Sequence, residues 1–130
     1  MQKEIIIDTN KREEIIDITN LINKNININK GIINIFTTHT TTALTINESS
    51  DPNLPIDLTN FLNKLVQKNI WLHDKIDGNA DSHIKASLVG NSVTIPINNN
   101  KMLLGNWQRI LFCEFDGKRK RKILITSIKN

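Results

Sequence analysis

The 130-residue chain has one cysteine, no tyrosine, two tryptophans, three prolines and no long apolar run. A lone cysteine excludes an internal disulfide and a thiolate zinc cluster, and it suits a reducing compartment, so a cytoplasmic protein is expected. Cys113 lies in "ILFCEF", a strand-like run where a buried inert thiol is expected rather than a nucleophile. No hydrophobic stretch approaches the roughly 18 to 20 residues that span a bilayer, and "MQKEIIID" lacks the cationic, apolar and small-residue pattern of a leader. A soluble chain with no membrane partner is the expectation. Few aromatics also argue against nucleic acid, whose binding surfaces interleave broad basic charge with exposed rings. The net charge of +4 does not reverse this, because residues 101–130 carry eight Lys/Arg against two acids while the rest is mildly acidic.

What is abundant is isoleucine, asparagine and lysine. The length fits a single domain, 1–130. "KEIIIDT" and "EEIIDIT" read as two strands, most simply paired antiparallel, because the branched Cβ of isoleucine suits the pleat. A short helix is predicted over about residues 20 to 26, followed by strands in "GIINIFTTH" and "TALTINE". Asn53 can cap a helix with Pro55 in its first turn, and Leu58, Phe61, Leu62 and Leu65 fall on one face. A further helix begins near Asn79 or Asp81, places Ala80, Ile84 and Leu88 on one face and ends at Gly90. Period-two alternation then returns in "SVTIPI", "QRILFCEF" and "KRKILITSI", with Asn98–Asn100 as a turn and Asp116-Gly117 as a hairpin signal. The order ββαββ(α)αβββ places the chain in the α+β class.

The chemistry-bearing residues are concentrated. "TTHTTTALTINESSD" sets His39 among Thr40 and Thr41 and follows it with Glu48 and Asp51. His73 precedes Asp74 and Asp77, and His83 follows Asp81. On a continued strand Thr37, His39 and Thr41 would share a face, offering hydroxyls and an imidazole to a ligand. His83, in a helix's first turn, meets the positive end of the dipole, where free N–H groups and a neutral imidazole can receive a phosphate. Arg119 and Arg121 alternate with Lys118, Lys120 and Lys122, so on a strand the two guanidiniums would share a face about 7 Å apart, a spacing that suits a phosphate or diphosphate. No HExxH motif is present, so no zinc hydrolase signature exists.

Together, "HTTTALTINE", "WLH", "DGNADSHIKASLVGNSVTIPI", "LLGNWQRILFCEFDG" and "RKR" resemble the YjbQ-like family, called secondary thiamine-phosphate synthases. The resemblance spans roughly residues 30–125 and places His39, Asn47, Glu48, His73, Asn79, His83, Gln108, Glu114, Asp116, Arg119 and Arg121 at family motif positions. Lys118 stands where the family usually has proline, and Asn106 where it has a small or hydroxyl residue. The resemblance implies a mixed β-sandwich of about seven strands with two to three helices, and a homotrimer whose histidine-rich pocket lies near the subunit boundary. It also implies a thiamine-phosphate-synthase-like transferase activity on phosphorylated or diphosphate substrates.

On that reading His39, Glu48, His73 and His83 are the catalytic set. Thr40, Thr41, Asn79, Gln108, Arg119 and Arg121 bind the anion of a small phosphorylated ligand, with Asp51, Glu114 and Asp116 in support. Mg²⁺ would neutralise a departing diphosphate. Two alternatives compete with this: a hydrolase in which His39, His73 and His83 ligate Zn²⁺ and Glu48 or Asp51 activates water, and a non-catalytic binding protein for a phosphorylated metabolite.

Overall fold

The computed structural model describes residues 1–130. Its elements are β1 (Gln2–Asp8), β2 (Glu14–Asp17), α1 (Thr19–Asn23), β3 (Gly31–Thr37), β4 (Thr42–Asn47), α2 (Asn53–Leu65), a 3-10 turn (Leu72–Lys75), α3 (Ala80–Val89), β5 (Ser92–Asn98), β6 (Lys101–Met102), β7 (Arg109–Glu114) and β8 (Lys120–Lys129). They form a five-stranded sheet in the order β1-β8-β3-β5-β6 and a three-stranded sheet in the order β2-β7-β4. Every strand pair is antiparallel. The α+β sandwich expected from the sequence is thus present, with eight strands; the additional one is the two-residue β6.

The main core lies between the sheets, and eleven of its thirteen buried residues are isoleucine. Alternation explains this: Ile33 and Ile35 of β3, Ile123 and Ile125 of β8, and Ile95 and Ile97 of β5 point to one side and meet Leu44, Ile110 and Phe112 of the small sheet. Each fully buried isoleucine contributes about 1.5–3 kcal/mol of transfer free energy. The small sheet's other face presents Ala43, Cys113 and Ile15 to Ala86 and Val89 of α3 and Leu62 of α2. Cys113 is there an inert buried thiol, its pKa pushed up to about 12 by burial.

Several local expectations change because the chain switches sheets where the sequence suggests hairpins. β1 pairs with β8 and β2 with β7, so the two N-terminal strands do not pair with each other. β3 belongs to the large sheet and β4 to the small one, which leaves His39 in the turn between them rather than on a strand. Asp116-Gly117 likewise turns no hairpin: β7 and β8 lie in different sheets, joined by residues 115–119. Gly117 is required by proximity, since a Cβ there would lie 2.2 Å from the Lys11 carbonyl oxygen. The Asn98–Asn100 turn is as expected, with Asn99 and Asn100 at positive φ, but it leads into β6 and not directly into β7.

The helices also differ in which side they bury. α1 is shorter than expected, and Asn53 is the first residue of α2 rather than its cap; the Asp51 carboxylate accepts the Asn53 N–H at 2.9 Å. On α2, Leu58 and Leu62 are half-buried, whereas Phe61 and Leu65 are exposed. On α3 the buried face carries Asp81, Ser82, Lys85 and Ala86, and Leu88 faces outward. Hydrogen bonds and ion pairs satisfy that polar face, which hydrophobic periodicity does not register. No helix is long and apolar enough to cross a membrane.

Candidate functional site

The three sheet-switching connections, residues 9–13, 38–41 and 115–119, meet at one end of the sandwich. Thr9 N–H donates to the Arg119 carbonyl, Phe115 N–H to that of Thr41 and Gly117 N–H to that of Arg12. The N-terminus of α3 abuts the same junction through Ser82, whose hydroxyl donates to the Phe115 carbonyl at 2.6 Å. Chain reversal between sheets thus gathers polar residues that lie far apart in sequence.

At its centre, between the sheets, Arg121 grips Glu114. Nε donates to Oε1 at 2.8 Å and Nη2 to Oε2 at 2.5 Å, while Nη2 also reaches Thr41 Oγ1 at 2.8 Å. Thr9 Oγ1 donates to the same carboxylate at 2.8 Å. Both charged side chains are buried. The expected pair of guanidiniums on one face is therefore divided: Arg121 belongs to the interior, and Arg119, just before β8, is exposed and donates to the Asp116 carboxylate at 3.2 Å. Burial of Arg121 follows from β8's alternation, which also turns Ile123 and Ile125 inward.

Outside this plug a second group forms at the start of α3. Asn79 Nδ2 donates to Asp116 Oδ2 at 2.8 Å. His73 and His83 meet edge to face with ring centroids 5.0 Å apart, and His73 Nε2 lies 3.5 Å from Asp77 Oδ2. The buried Nε2 of His73 and Oδ1 of Asn79 have no hydrogen-bond partner within the chain. One donor of the helix N-terminus is already engaged, since Asp74 Oδ1 accepts the Ala80 N–H at 3.0 Å. A resident carboxylate already uses that donor.

His39 stands apart from the other two histidines. Its Nε2 accepts the Lys122 main-chain N–H at 3.0 Å, and it lines an open cavity of about 330 Å³ with Phe36, Thr38, Thr40, Ser87 and Asn91. Burial lowers its pKa, as do the charges of Arg121, Lys122 and Arg119, against the opposing pull of Glu114. No group of three His, Cys, Asp or Glu side chains is arranged to hold a metal, so the set His39, His73 and His83 is not assembled within one chain.

The remaining expected residues lie at the other end of the small sheet. Thr42 pairs with Glu114 at one end of β4 and Asn47 with Arg109 at the other, five residues or about 17 Å away. Glu48 follows Asn47; Gln108 precedes Arg109 and accepts the Gly105 N–H through Oε1 at 2.8 Å. Asp51 caps α2. At this end Asp17 accepts from Arg109 Nε at 2.7 Å and Ser49 Oγ at 2.5 Å. Burial alone would raise the Asp17 pKa, but hydrogen bonds from Arg109, Ser49 and Thr19 outweigh it and hold it at about 2.

One polar cluster escaped sequence reasoning. Lys85 is fully buried and donates to Asn63 Oδ1, lies 3.4 Å from Asp81 Oδ2 and 3.6 Å from Glu13 Oε2, and sits 5.9 Å from the centre of the Phe115 ring. Arg12 adds an ion pair to Asp81 at 3.3 Å. The Asp81–Lys85 spacing of i,i+4 was the available signal.

A family model described as UPF0047 protein YjbQ-like matches residues 3–130. A UPF0047 protein of Methanocaldococcus jannaschii is 50% identical over 125 residues, covering 94% of this chain and 90% of the relative. One from Archaeoglobus fulgidus is 45% identical over 126 residues, covering 96% and 99%. Among solved structures, a conserved protein of the yjbq/upf0047 family from Clostridium acetobutylicum has a TM-score of 0.92 at 41% identity, covering 97% of this chain and 99% of that one. A protein from Aeropyrum pernix K1 has a TM-score of 0.94 at 29% identity, covering 100% and 99%.

Proposed function

The chain belongs to the UPF0047 YjbQ-like family, and from that premise we propose that it binds a small phosphorylated ligand at the α3 end of the sandwich. We further propose that it acts there as a thiamine-phosphate-synthase-like transferase, displacing diphosphate from an aminopyrimidine-methyl diphosphate by the nitrogen of a thiazole phosphate. The observation that carries the reading is the grouping of polar side chains at the start of α3: the His73 and His83 imidazoles meet edge to face, and beside them the Asn79 amide bonds the Asp116 carboxylate, which also accepts from the exposed Arg119 guanidinium. Such a displacement needs a cation and hydrogen-bond donors at the departing diphosphate more than a strong nucleophile. Arg119 supplies the cation and the histidines supply proton transfer. Arg121 contributes indirectly, by fixing Glu114 and Thr41 behind the site.

Glu48, Asn47 and Gln108, at the opposite end of β4, belong to the same reaction only if another copy brings that end to the α3 end. A homotrimer with the pocket at the subunit boundary meets this requirement. Exposure of Phe61, Leu65, Leu72 and Ile76 supports it, since these side chains gain from being covered. The test is synthesis of thiamine phosphate from the two phosphorylated precursors by the purified chain with Mg²⁺. Turnover well above that of a His83→Ala control is expected; equal rates would overturn the transferase reading.

A further inference from the structure

β3 ends at Thr37, yet His39, two residues later, still makes a contact of the β3–β8 kind. Odd-numbered residues of β8 turn their N–H groups toward β1, as the bond from Ser127 to the Met1 carbonyl shows, so the Lys122 N–H faces the β3 side. The ladder between β3 and β8 closes at the pair Thr37 and Ile123. Beyond it, the Lys122 N–H is accepted by His39 Nε2 at 3.0 Å, the imidazole standing in for the carbonyl of a longer strand.

A ring nitrogen that accepts a main-chain N–H carries no proton, so the neutral ring carries its proton on Nδ1. We infer that His39 is held in this one tautomer and serves as a hydrogen-bond donor, through Nδ1–H, to an oxygen of a phosphorylated ligand that extends from Arg119 into the cavity His39 lines, not as a proton-abstracting base. The donor role rests on the phosphorylated-ligand reading above; the tautomer does not. The cavity that His39 lines with Thr38 and Thr40 gives the oxygen a place beside two further hydroxyls. The charged groups around the ring are Arg121 and Lys122 of β8, Arg119 of the connection before it and Glu114 of β7. Protonation would set an Nε2–H against the Lys122 N–H, two donors facing each other, and the 38–41 turn would lose this anchor on β8, keeping only the bond from Arg121 to Thr41.

The experiment uses the full chain, ¹⁵N-labelled, with long-range ¹H–¹⁵N correlation of the imidazoles at neutral pH, the His39 signals being identified with His39→Gln. The expected pattern has a protonated Nδ1 and a bare Nε2; an Nε2–H tautomer, or rapid averaging of the two, would overturn the assignment. His39→Ala should speed amide exchange at Lys122 by about tenfold or more, while His39→Gln, which keeps an acceptor, should speed it less. Unchanged exchange in His39→Ala would also overturn it. Inorganic diphosphate should shift the Nδ1 resonance, and His39→Gln should weaken its binding by about tenfold. Binding that leaves both unaffected would sink the donor role with the phosphorylated-ligand reading intact. No binding to the wild-type chain would sink that reading, and the donor role with it, while the tautomer is judged on its own spectrum.

Discussion

Arg121 and Glu114 form a two-pronged ion pair between the sheets, at 2.8 and 2.5 Å, with 4% and 0% of their residue surfaces exposed. Thr9 and the Asp116 N–H also donate to the carboxylate and Thr41 accepts from the guanidinium, so the facing edges of the two buried charges are hydrogen-bonded. The pair closes the end of an otherwise aliphatic core and ties β7 to β8 where their connection leaves one sheet for the other.

Arg121→Ala should therefore destabilise the fold by about 3–5 kcal/mol, because it leaves a carboxylate buried without its counter-ion. Replacing both partners with apolar residues, Arg121→Met with Glu114→Leu, should recover part of that loss. Urea denaturation midpoints of the single and double variants measure it. A single variant within about 1 kcal/mol of wild type would mean that water reaches Glu114.

Lys85 makes a comparable demand on the other side of the small sheet. Lys85→Ala removes the cation between Asp81 and Glu13 and opens a cavity against Phe115, so a loss of about 3–5 kcal/mol is expected. Lys85→Met keeps most of the stem's volume and should be milder by about 1–2 kcal/mol. Equal losses in the two variants, read from the same denaturation curves, would show that charge alone matters.

How much of this was legible follows from what pattern can carry. Alternating isoleucines in β3 and β8 announced strands, because a half-buried strand needs one apolar face. Gly90 announced the end of α3, where it takes φ 108°. Sheet assignment was not legible: "DGKRK" satisfies a hairpin turn equally well when its flanking strands separate into two layers, and only packing between the sheets decides. The inward turn of Arg121 was hidden for a similar reason. Alternation placed it on a common face with Arg119, but nothing local says that β8 begins only at Lys120 and turns that face toward Glu114. The site residues were recognised as a group, yet their division between the two ends of β4 depends on strand length in three dimensions.

Acid should act at the far end of the small sheet through Asp17. Its folded pKa of about 2 lies below the ordinary 3.8, so the unfolded chain binds more protons in between. The stabilisation is fully present above about pH 4 and is lost as pH falls through the folded value. Asp17 and Arg109 are partly exposed, which limits the effect: Asp17→Asn should cost about 1 kcal/mol near neutrality. The gap between variant and wild type should narrow steadily in denaturation curves taken toward pH 3, and a constant gap would assign the loss to packing.

The division of the arginines gives the sharpest functional test. If Arg119 is the cation that meets a phosphorylated ligand, Arg119→Ala should weaken diphosphate binding by about 5- to 30-fold, corresponding to about 1–2 kcal/mol for a charge-assisted bond at a partly exposed site. The fold should stay unchanged, because the Arg119 side chain bonds only to nearby Asp116, and its main-chain bonds to Thr9 survive the substitution. Lys120→Ala provides the comparison: its ammonium faces Asp8 at 3.8 Å on the exposed side of β8, and its removal should alter affinity by less than about twofold. Arg121→Ala should also lose binding, but in proportion to unfolding, so binding and denaturation must be measured on the same samples. Equal weak effects from Arg119→Ala and Lys120→Ala in isothermal titration would identify a diffuse basic surface and remove Arg119 from the site.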